Sequence, residues 1–185
     1  MQTDKNALRA QMKALRAQAE DRPSRDVLLA ENLFALAQVR AAKSVFLYNS
    51  FGAEADTSRI LLRLLAEGKR VLFPRVDGRD MVAVPYGGGW RKGAFGIEEP
   101  LGERAEEEAE LCVLPLLAAD EQFHRLGYGG GFYDRYLSRP ETEGMFRVGL
   151  CYDFQLLPHI VSEAHDVLLD AIVTDRRVLV RGGER

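Results

Sequence analysis

The chain of 185 residues is poor in the residues that build metal centres and disulfide frameworks. It has two cysteines and three histidines, and none of these five stands at the spacing of a zinc site. Cys112 and Cys151 both lie in apolar runs, where cysteine usually packs as a small hydrophobic side chain. We therefore expect neither a disulfide-stabilised fold nor a histidine-based metal centre.

Long hydrophobic runs and a strong net charge are also missing. No apolar run approaches the roughly 20 residues that a membrane-spanning helix needs, and the first residues form a charged segment without the apolar stretch of a signal peptide. We expect a cytoplasmic protein with no membrane partner. The formal net charge of -3 gives no reason to expect binding to nucleic acid, so an anionic ligand must be held by local cations.

The hydrophobic pattern predicts one α/β domain. Short β-favouring runs occur at residues 44–48, 70–73, 81–84, 111–114, 147–151, 168–174 and 178–180. Helical spacing covers residues 4–19 and continues from about residue 23 to 38, and a further helix starts at Asp56 or Thr57. The strand, helix, strand order after residue 44 indicates a βαβ unit, whose ligands bind beyond the carboxyl ends of the strands.

The stretch from Arg125 to Arg135, RLGYGGGFYDR, has the strongest functional pattern. Its four glycines let the backbone adopt positive φ and approach a ligand closely. Since a short helix is predicted from Phe132 to Leu137, the N–H groups before it would form an anion-binding nest at a helix N-terminus. Arg125 would neutralise phosphate oxygens and Asp134 would hold Mg²⁺. A glycine-rich surface turn is the alternative explanation.

Two other segments are candidates for a site. The polar loop 49–56 follows the first predicted strand, and Glu54 is its most reactive side chain, although helix capping or solvation would explain it equally well. Residues 90–100 form an irregular segment with aromatic and basic side chains that would cover a flat ligand. In the first helix, Lys5, Arg9 and Lys13 lie on one side, for which a solvated basic face is the simpler explanation.

Blocks spread over nearly the whole chain support a more specific interpretation. They are KNALR at 5–9, EADT at 54–57, GAFGIEEP at 93–100, the stretch 125–135, HD at 165–166 and DAIVT at 170–174. Together, and in this order, they resemble the 5-formyltetrahydrofolate cyclo-ligase family, also called methenyltetrahydrofolate synthetases. The departures lie just before the glycine stretch. Where the family usually shows PGVAFD and then a glycine, this chain has PLLAAD, with Leu116 and Ala119, and then Phe123.

The resemblance implies a single three-layer domain over residues 1–185, with a largely parallel sheet of the NagB/RpiA/CoA-transferase type. Helices within residues 4–38 would contribute to the nucleotide site, and we expect a monomer. The implied reaction converts 5-formyltetrahydrofolate and ATP to 5,10-methenyltetrahydrofolate, ADP and phosphate with Mg²⁺. A non-catalytic phosphosugar or nucleotide sensor of related fold is the alternative. Such sensors usually carry a separate DNA-binding helix pair, for which the two N-terminal helices could be mistaken.

The resemblance also implies roles for individual residues. It assigns the ATP phosphates to Lys5, Arg9, Arg125, Leu126, Gly127, Tyr128, Gly129, Gly130, Gly131, Phe132 and Tyr133. It assigns the folate to Asn49, Phe51, Glu54, Trp90 and Tyr152. Asp134 and Asp166 would organise Mg²⁺, and Arg125 would stabilise charge during the transfer. No protein nucleophile is implied.

Overall fold

The computed structural model describes residues 5–163 and 166–183. Its helices are α1 (Lys5–Ala17), α2 (Arg22–Ala35), α3 (Ala37–Ala41), α4 (Ser58–Ala66) and α5 (Phe132–Leu137). Its strands are β1 (Ser44–Leu47), β2 (Arg70–Asp77), β3 (Asp80–Pro85), β4 (Trp90–Lys92), β5 (Glu98–Pro100), β6 (Leu111–Pro115), β7 (Ala118–Asp120), β8 (Arg125–Leu126), β9 (Phe146–Leu150), β10 (Leu156–Leu157), β11 (Ala171–Val173) and β12 (Val178–Val180). None of the described helices is long and apolar enough to span a bilayer.

The central sheet has seven strands in the order β12-β11-β9-β6-β1-β2-β3. The inner pairs are all parallel, whereas the edge strands β3 and β12 pair antiparallel with β2 and β11. The prediction of a single α/β domain with a largely parallel sheet is thus confirmed. Because the inner strands are parallel, their carboxyl ends meet at one edge of the sheet, where ligands bind in such folds.

Side chains on the two faces of the sheet form two separate cores. One core joins α2, α3 and α4 to alternate strand residues such as Val45 and Val113, and the other joins α5 to Phe46 and Cys112. In the second core the ring of Tyr136 stacks on Phe46 with 4.8 Å between centroids. The sheet is therefore the middle of three layers. The likeness to the NagB/RpiA/CoA-transferase type stays a prediction.

The predicted βαβ unit is formed by β1, α4 and β2. The Asp56 carboxylate accepts a 2.8 Å hydrogen bond from the N–H of Ser58, whereas the Thr57 hydroxyl donates to the carbonyl of Tyr48 at 3.0 Å. Asp56, of the two candidates, thus stabilises the entry to α4. The helix ends before Gly68, whose φ of 72° is strained for residues with a Cβ.

Two sequence-based assignments were wrong, and one region has strands that were not predicted. The second helix does not continue to residue 38, because Leu36 adopts an extended conformation with ψ of 127° and separates α2 from α3. Residues 90–100 are not irregular, since β4 and β5 pair antiparallel. The connection after residue 115 contains β7, which forms a small sheet with β8 and β10. These strands have two or three residues each, too few for a recognisable alternation.

The departures from the family pattern are accommodated in the core around β7. Leu116 and Ala119 are both buried. The side chain of Leu116 packs directly against Gly149 of β9, in the space that a larger residue there would fill. Phe123 has a φ of 69°, in the left-handed region, at the position where the resemblance leads us to expect a glycine. Its N–H donates to the carbonyl of Asp120 at 2.9 Å, which closes the turn between β7 and β8.

Substitution of Gly149 by alanine should reveal how tightly this region packs. A Cβ at this position would lie 2.6 Å from Leu169 Cδ1 and 2.8 Å from Leu116 Cδ2, and both leucines are buried. We expect the free energy of unfolding to fall by about 1–3 kcal/mol, the usual cost of overpacking a core, as measured by urea denaturation. Gly144 is the matched control, because a Cβ there meets nothing within 4 Å. Equal effects at both glycines would contradict the prediction.

Candidate active site

The glycine stretch forms a loop that ends at the start of α5, as predicted. Gly129 and Gly131 have φ values of 99° and 68°, and Gly131 is the residue that precedes the first turn of the helix. A Cβ at Gly131 would meet only the end of the flexible Arg135 side chain, so the positive φ is what favours glycine there. Backbone N–H groups at such a turn can donate hydrogen bonds to an anion, which makes the loop suited to phosphate.

Part of the basic face of α1 lies against this loop. Arg9 donates from Nε to the carbonyl of Gly127 at 3.0 Å, and its guanidinium covers Gly129. Lys13 Nζ lies 5.7 Å from the ring centroid of Tyr128. Lys5 Nζ, at the helix start, is 3.3 Å from Asp166 Oδ2. A solvated face therefore does not describe Lys5 and Arg9, which are half-buried, whereas Lys13 is exposed.

Arg125 and Asp134 flank the loop and are paired with each other. Nη2 of Arg125 donates to Oδ1 of Asp134, and the arginine side chain is only 4% exposed. The guanidinium carbon lies 5.9 Å from the ring centroid of Tyr133, and Nε is buried without a hydrogen-bond partner. The carboxylate of Asp134 is one-third exposed. The pair thus presents one positive and one negative group at the start of α5.

The two predicted Mg²⁺ ligands belong to separate local networks. Asp134 pairs with Arg125, whereas Asp166 Oδ2 accepts from Lys5 and from the N–H of Glu163, the latter at 2.7 Å. Within residues 5–163 and 166–183, no group of three or more His, Cys, Asp or Glu side chains could hold a metal ion. Two carboxylates still suit Mg²⁺, which takes one or two protein ligands together with waters and phosphate oxygens. His165 lies outside the described residues.

Glu54 is fixed by hydrogen bonds to both of its carboxylate oxygens. Oε1 accepts from the hydroxyl of Tyr128, and Oε2 accepts from the N–H of Phe51 at 2.8 Å. Burial raises the pKa of Glu54, while these two hydrogen bonds and the charge of Arg16 act in the opposite direction. Burial also raises the pKa of Tyr128 and of Tyr133, so both keep their protons as donors. The loop after β1 and the glycine loop thus meet at one hydrogen bond.

The other residues predicted to bind folate occupy different surroundings. Phe51 is 54% exposed and free to cover a ligand, whereas Asn49 donates to the carbonyl of Glu98 at 3.2 Å. Trp90 is half-buried and packs against Phe73 with 5.0 Å between ring centroids. Tyr152 is fully buried, so in this conformation its ring offers no surface for stacking.

Tyr152 contacts the site through Asp26, which the sequence did not indicate. Its hydroxyl donates to Asp26 Oδ1 at 2.8 Å, and the same oxygen accepts from the N–H of Asp56 at 3.2 Å. Burial raises the pKa of Asp26. Asp26 and Glu54 both line a cleft of about 550 Å³ between α2 and the loop after β1, a volume typical of small-molecule sites. Asp26 belongs to no recognisable sequence motif. It reaches the cleft because α2 packs beside the loop after β1.

Comparison with known proteins places the chain in a family. The sequence model of the 5-formyltetrahydrofolate cyclo-ligase family matches residues 1–175. The chain belongs to this family. Members similar to it include a probable 5-formyltetrahydrofolate cyclo-ligase of Schizosaccharomyces pombe, 29% identical over 97% of this chain and 98% of that one. The cyclo-ligase of Haemophilus influenzae is 31% identical over 94% and 95%.

A solved structure shows the same family fold. The NMR structure of Aquifex aeolicus 5,10-methenyltetrahydrofolate synthetase aligns with a TM-score of 0.84 at 30% identity. The alignment covers 98% of this chain and 94% of the other. The central sheet and the elements around it are therefore those of a cyclo-ligase family member.

Proposed function

We propose that the protein converts 5-formyltetrahydrofolate and ATP to 5,10-methenyltetrahydrofolate, ADP and phosphate, with Mg²⁺. One observation carries this proposal beyond family membership: the hydroxyl of Tyr128, in the glycine loop, donates to Glu54 in the loop after β1. A phosphate-binding loop and a carboxylate suited to the N–H groups of a pterin ring therefore lie next to each other. The reaction needs this proximity, because it joins a phosphate to the folate.

The chemistry explains why ATP is required. The formyl group on N5 is amide-like and a poor electrophile, so its oxygen must become a leaving group. We propose that this oxygen attacks the γ-phosphorus of ATP, breaking the bond to ADP. N10 then attacks the formyl carbon, the C–O bond breaks with release of phosphate, and N10 loses its proton. For such transfers the protein supplies alignment and charge neutralisation.

The phosphates fit the cationic side of the site. Positive charge would come from Lys5, Arg9 and Arg125, and N–H donors would come from the backbone between Leu126 and Tyr133. Because Lys5 and Arg9 lie on α1, we propose that this helix belongs to the nucleotide site. Asp134 and Asp166 would hold Mg²⁺, which would neutralise charge on the phosphates. No observation favours a DNA-binding role for α1, because its cations face the molecule's own loop.

No cysteine is placed to act as a nucleophile. Cys112 and Cys151 are both fully buried, and burial raises the pKa of Cys112 to about 12. A thiol in this state is a poor nucleophile. Direct transfer of phosphate from ATP to the formyl oxygen needs no such group.

The test is a coupled measurement of two products. Purified protein with Mg-ATP and 5-formyltetrahydrofolate should produce the absorbance of the methenyl product, with one ADP formed for each product molecule. ADP should not form when the folate is omitted. Absence of methenyl product under these conditions would refute the proposed function.

The pH dependence of the reaction should report on Glu54. As a carboxylate, Glu54 accepts hydrogen bonds from the pterin, so kcat/KM for the folate should fall as pH drops through its raised pKa. This decline should begin at a higher pH than for an exposed glutamate. Glu54→Gln should lower kcat/KM at neutral pH and remove the decline, as followed by product absorbance. An acid limb that persists in Glu54→Gln would assign the titration to another group.

The same shift predicts the effect of Glu54 on stability. Because its pKa is higher in the folded than in the unfolded protein, the folded state binds the proton more tightly. Its contribution to stability is therefore present at low pH and lost as pH rises through the folded pKa. Glu54→Gln should consequently leave the Tm at pH 7 unchanged or higher, which distinguishes a loss of activity from a loss of folding.

A further inference from the structure

Four side chains form a cluster where α1, the glycine loop and the loop after β1 meet. We call Lys13, Arg16, Tyr128 and Glu54 the junction cluster. Arg16 Cζ and Lys13 Nζ lie 5.5 Å and 5.7 Å from the ring centroid of Tyr128, because residues three apart share one side of α1. The hydroxyl of the same tyrosine donates to Glu54. Tyr128 thus connects the helix to the proposed folate acceptor.

Arg16 is an unusual member of this cluster. It lies in the last turn of α1 and is only 6% exposed. Nη1 donates to the carbonyl of Leu116 at 3.3 Å, whereas Nε is buried without a partner. In the described part of the chain, no carboxylate forms an ion pair with it within 4.0 Å. Burying a cation without a carboxylate is costly, which makes Arg16 a candidate for a functional role.

The positive charge of Arg16 acts on both partners of the central hydrogen bond. It opposes the effect of burial on the pKa of Glu54 and on that of Tyr128. A cation beside Glu54 favours the carboxylate over the acid. Arg16 therefore helps keep Glu54 able to accept, and its guanidinium fixes the ring that donates to it.

We propose that Arg16 is a positioning residue that holds Tyr128, and through it Glu54, and that this contact couples nucleotide binding to folate binding. The inference rests on the proposed function. Phosphate bound by Arg9 and the glycine loop would order the backbone at residues 127–129, and with it Tyr128. A fixed Tyr128 holds the Glu54 carboxylate in one orientation. Folate binding then costs less conformational entropy. By linkage, folate must strengthen nucleotide binding by the same factor.

Binding measurements test the coupling directly. The Kd of 5-formyltetrahydrofolate is measured by calorimetry with and without Mg²⁺ and a non-hydrolysable ATP analogue, for the native protein, Arg16→Lys, Arg16→Met and Tyr128→Phe. We expect the analogue to tighten folate binding by about 5- to 100-fold in the native protein, the usual range of such coupling. In Arg16→Met and Tyr128→Phe this factor should fall towards one, with Arg16→Lys in between.

The pattern of losses separates positioning from a merely structural role. Tyr128→Phe should weaken folate binding about 10- to 100-fold, as expected for a lost hydrogen bond to a charged group, with a Tm close to native because the ring that contacts Arg16 is kept. The double variant Arg16→Met/Tyr128→Phe should lose no more than Tyr128→Phe, because Arg16 acts through Tyr128. Additive losses, or unchanged coupling in Arg16→Met, would overturn the proposal.

Arg63→Met provides a matched control. Arg63 also covers an aromatic ring, with Cζ 4.0 Å from the centroid of Phe34, but it lies on α4 and pairs with Glu67. It should keep the native coupling factor. If Arg16→Met fails to fold, Arg16→Lys and Tyr128→Phe carry the test. A native protein that makes no methenyl product refutes the proposed function, whereas an active native protein without coupling refutes only this inference.

Discussion

Asp134→Asn is expected to lower the turnover of 5-formyltetrahydrofolate on the order of 10²–10³-fold, the usual effect of losing one charge contact to a transition state. The substitution preserves shape and removes the negative charge proposed to hold Mg²⁺ beside the phosphates. The amide oxygen still accepts from Arg125, whose side chain is only 4% exposed. The free energy of unfolding should therefore change by only about 1 kcal/mol. Product absorbance and urea denaturation measure the two effects.

Comparison with Asp134→Ala separates the ligand role from the structural one. Alanine leaves the buried guanidinium of Arg125 without any partner, so unfolding should become easier by about 3–5 kcal/mol, while turnover falls as in Asp134→Asn. Asp80→Asn is the control, because Asp80 also lies near an arginine, 3.9 Å from Arg135, but its side chain is 61% exposed. If Asp134→Asn is fully active, Asp134 serves only to neutralise Arg125.

Most of the central sheet could be predicted from the sequence, because each of its inner strands contains a run of buried apolar residues. Leu111–Pro115 has no exposed residue, and such a strand appears as a short continuous apolar run. The βαβ unit was recognisable for the same reason, with Gly68 ending its helix. The short strands β4, β5, β7 and β10 could not be predicted, since they depend on pairing partners distant in the chain and have no periodicity of their own.

A local sequence pattern predicts part of the candidate site. The glycines from Gly127 to Gly131 indicate their function through conformational freedom, and the structure places them at the start of α5. Arg16 and Asp26 were missed because their roles come from tertiary contacts, with Leu116 and Tyr152, one hundred or more positions away. The resemblance assigns Tyr152 to the folate, whereas in the structure its ring is buried and its hydroxyl donates to Asp26.

The separate networks of Asp134 and Asp166 bear on the order of events at the proposed metal site. Each carboxylate is already paired with a cation, Arg125 and Lys5 respectively. A divalent ion would compete with these cations, and the phosphates of ATP would attract the cations away. Metal and nucleotide should therefore bind better together than separately, which fits Mg²⁺ as an ion that keeps substrate phosphates among its ligands.

Arg125→Gln tests the cationic half of the same pair and should reduce kcat/KM for ATP by about 10²–10³-fold. Its guanidinium is buried, its Nε has no hydrogen-bond partner, and it stands at the start of the glycine loop that we propose binds phosphate. A buried charge stabilises phosphate oxygens more than an exposed one, because less water screens it. Stability should fall by only about 1–3 kcal/mol, since Asp134 is one-third exposed and water can solvate it once unpaired.

Two further variants show whether charge or shape matters at this position. Arg125→Lys keeps the charge but not the forked contact with phosphate, so it should recover part of the lost activity. Arg139→Gln is the control: Arg139 also lies over a tyrosine ring, 5.2 Å from the centroid of Tyr136, but it is beyond the end of α5. Steady-state kinetics with varied ATP distinguishes these cases. Native kcat/KM in Arg125→Gln would show that Lys5, Arg9 and the backbone donors suffice for the phosphates, and that Arg125 serves to hold Asp134.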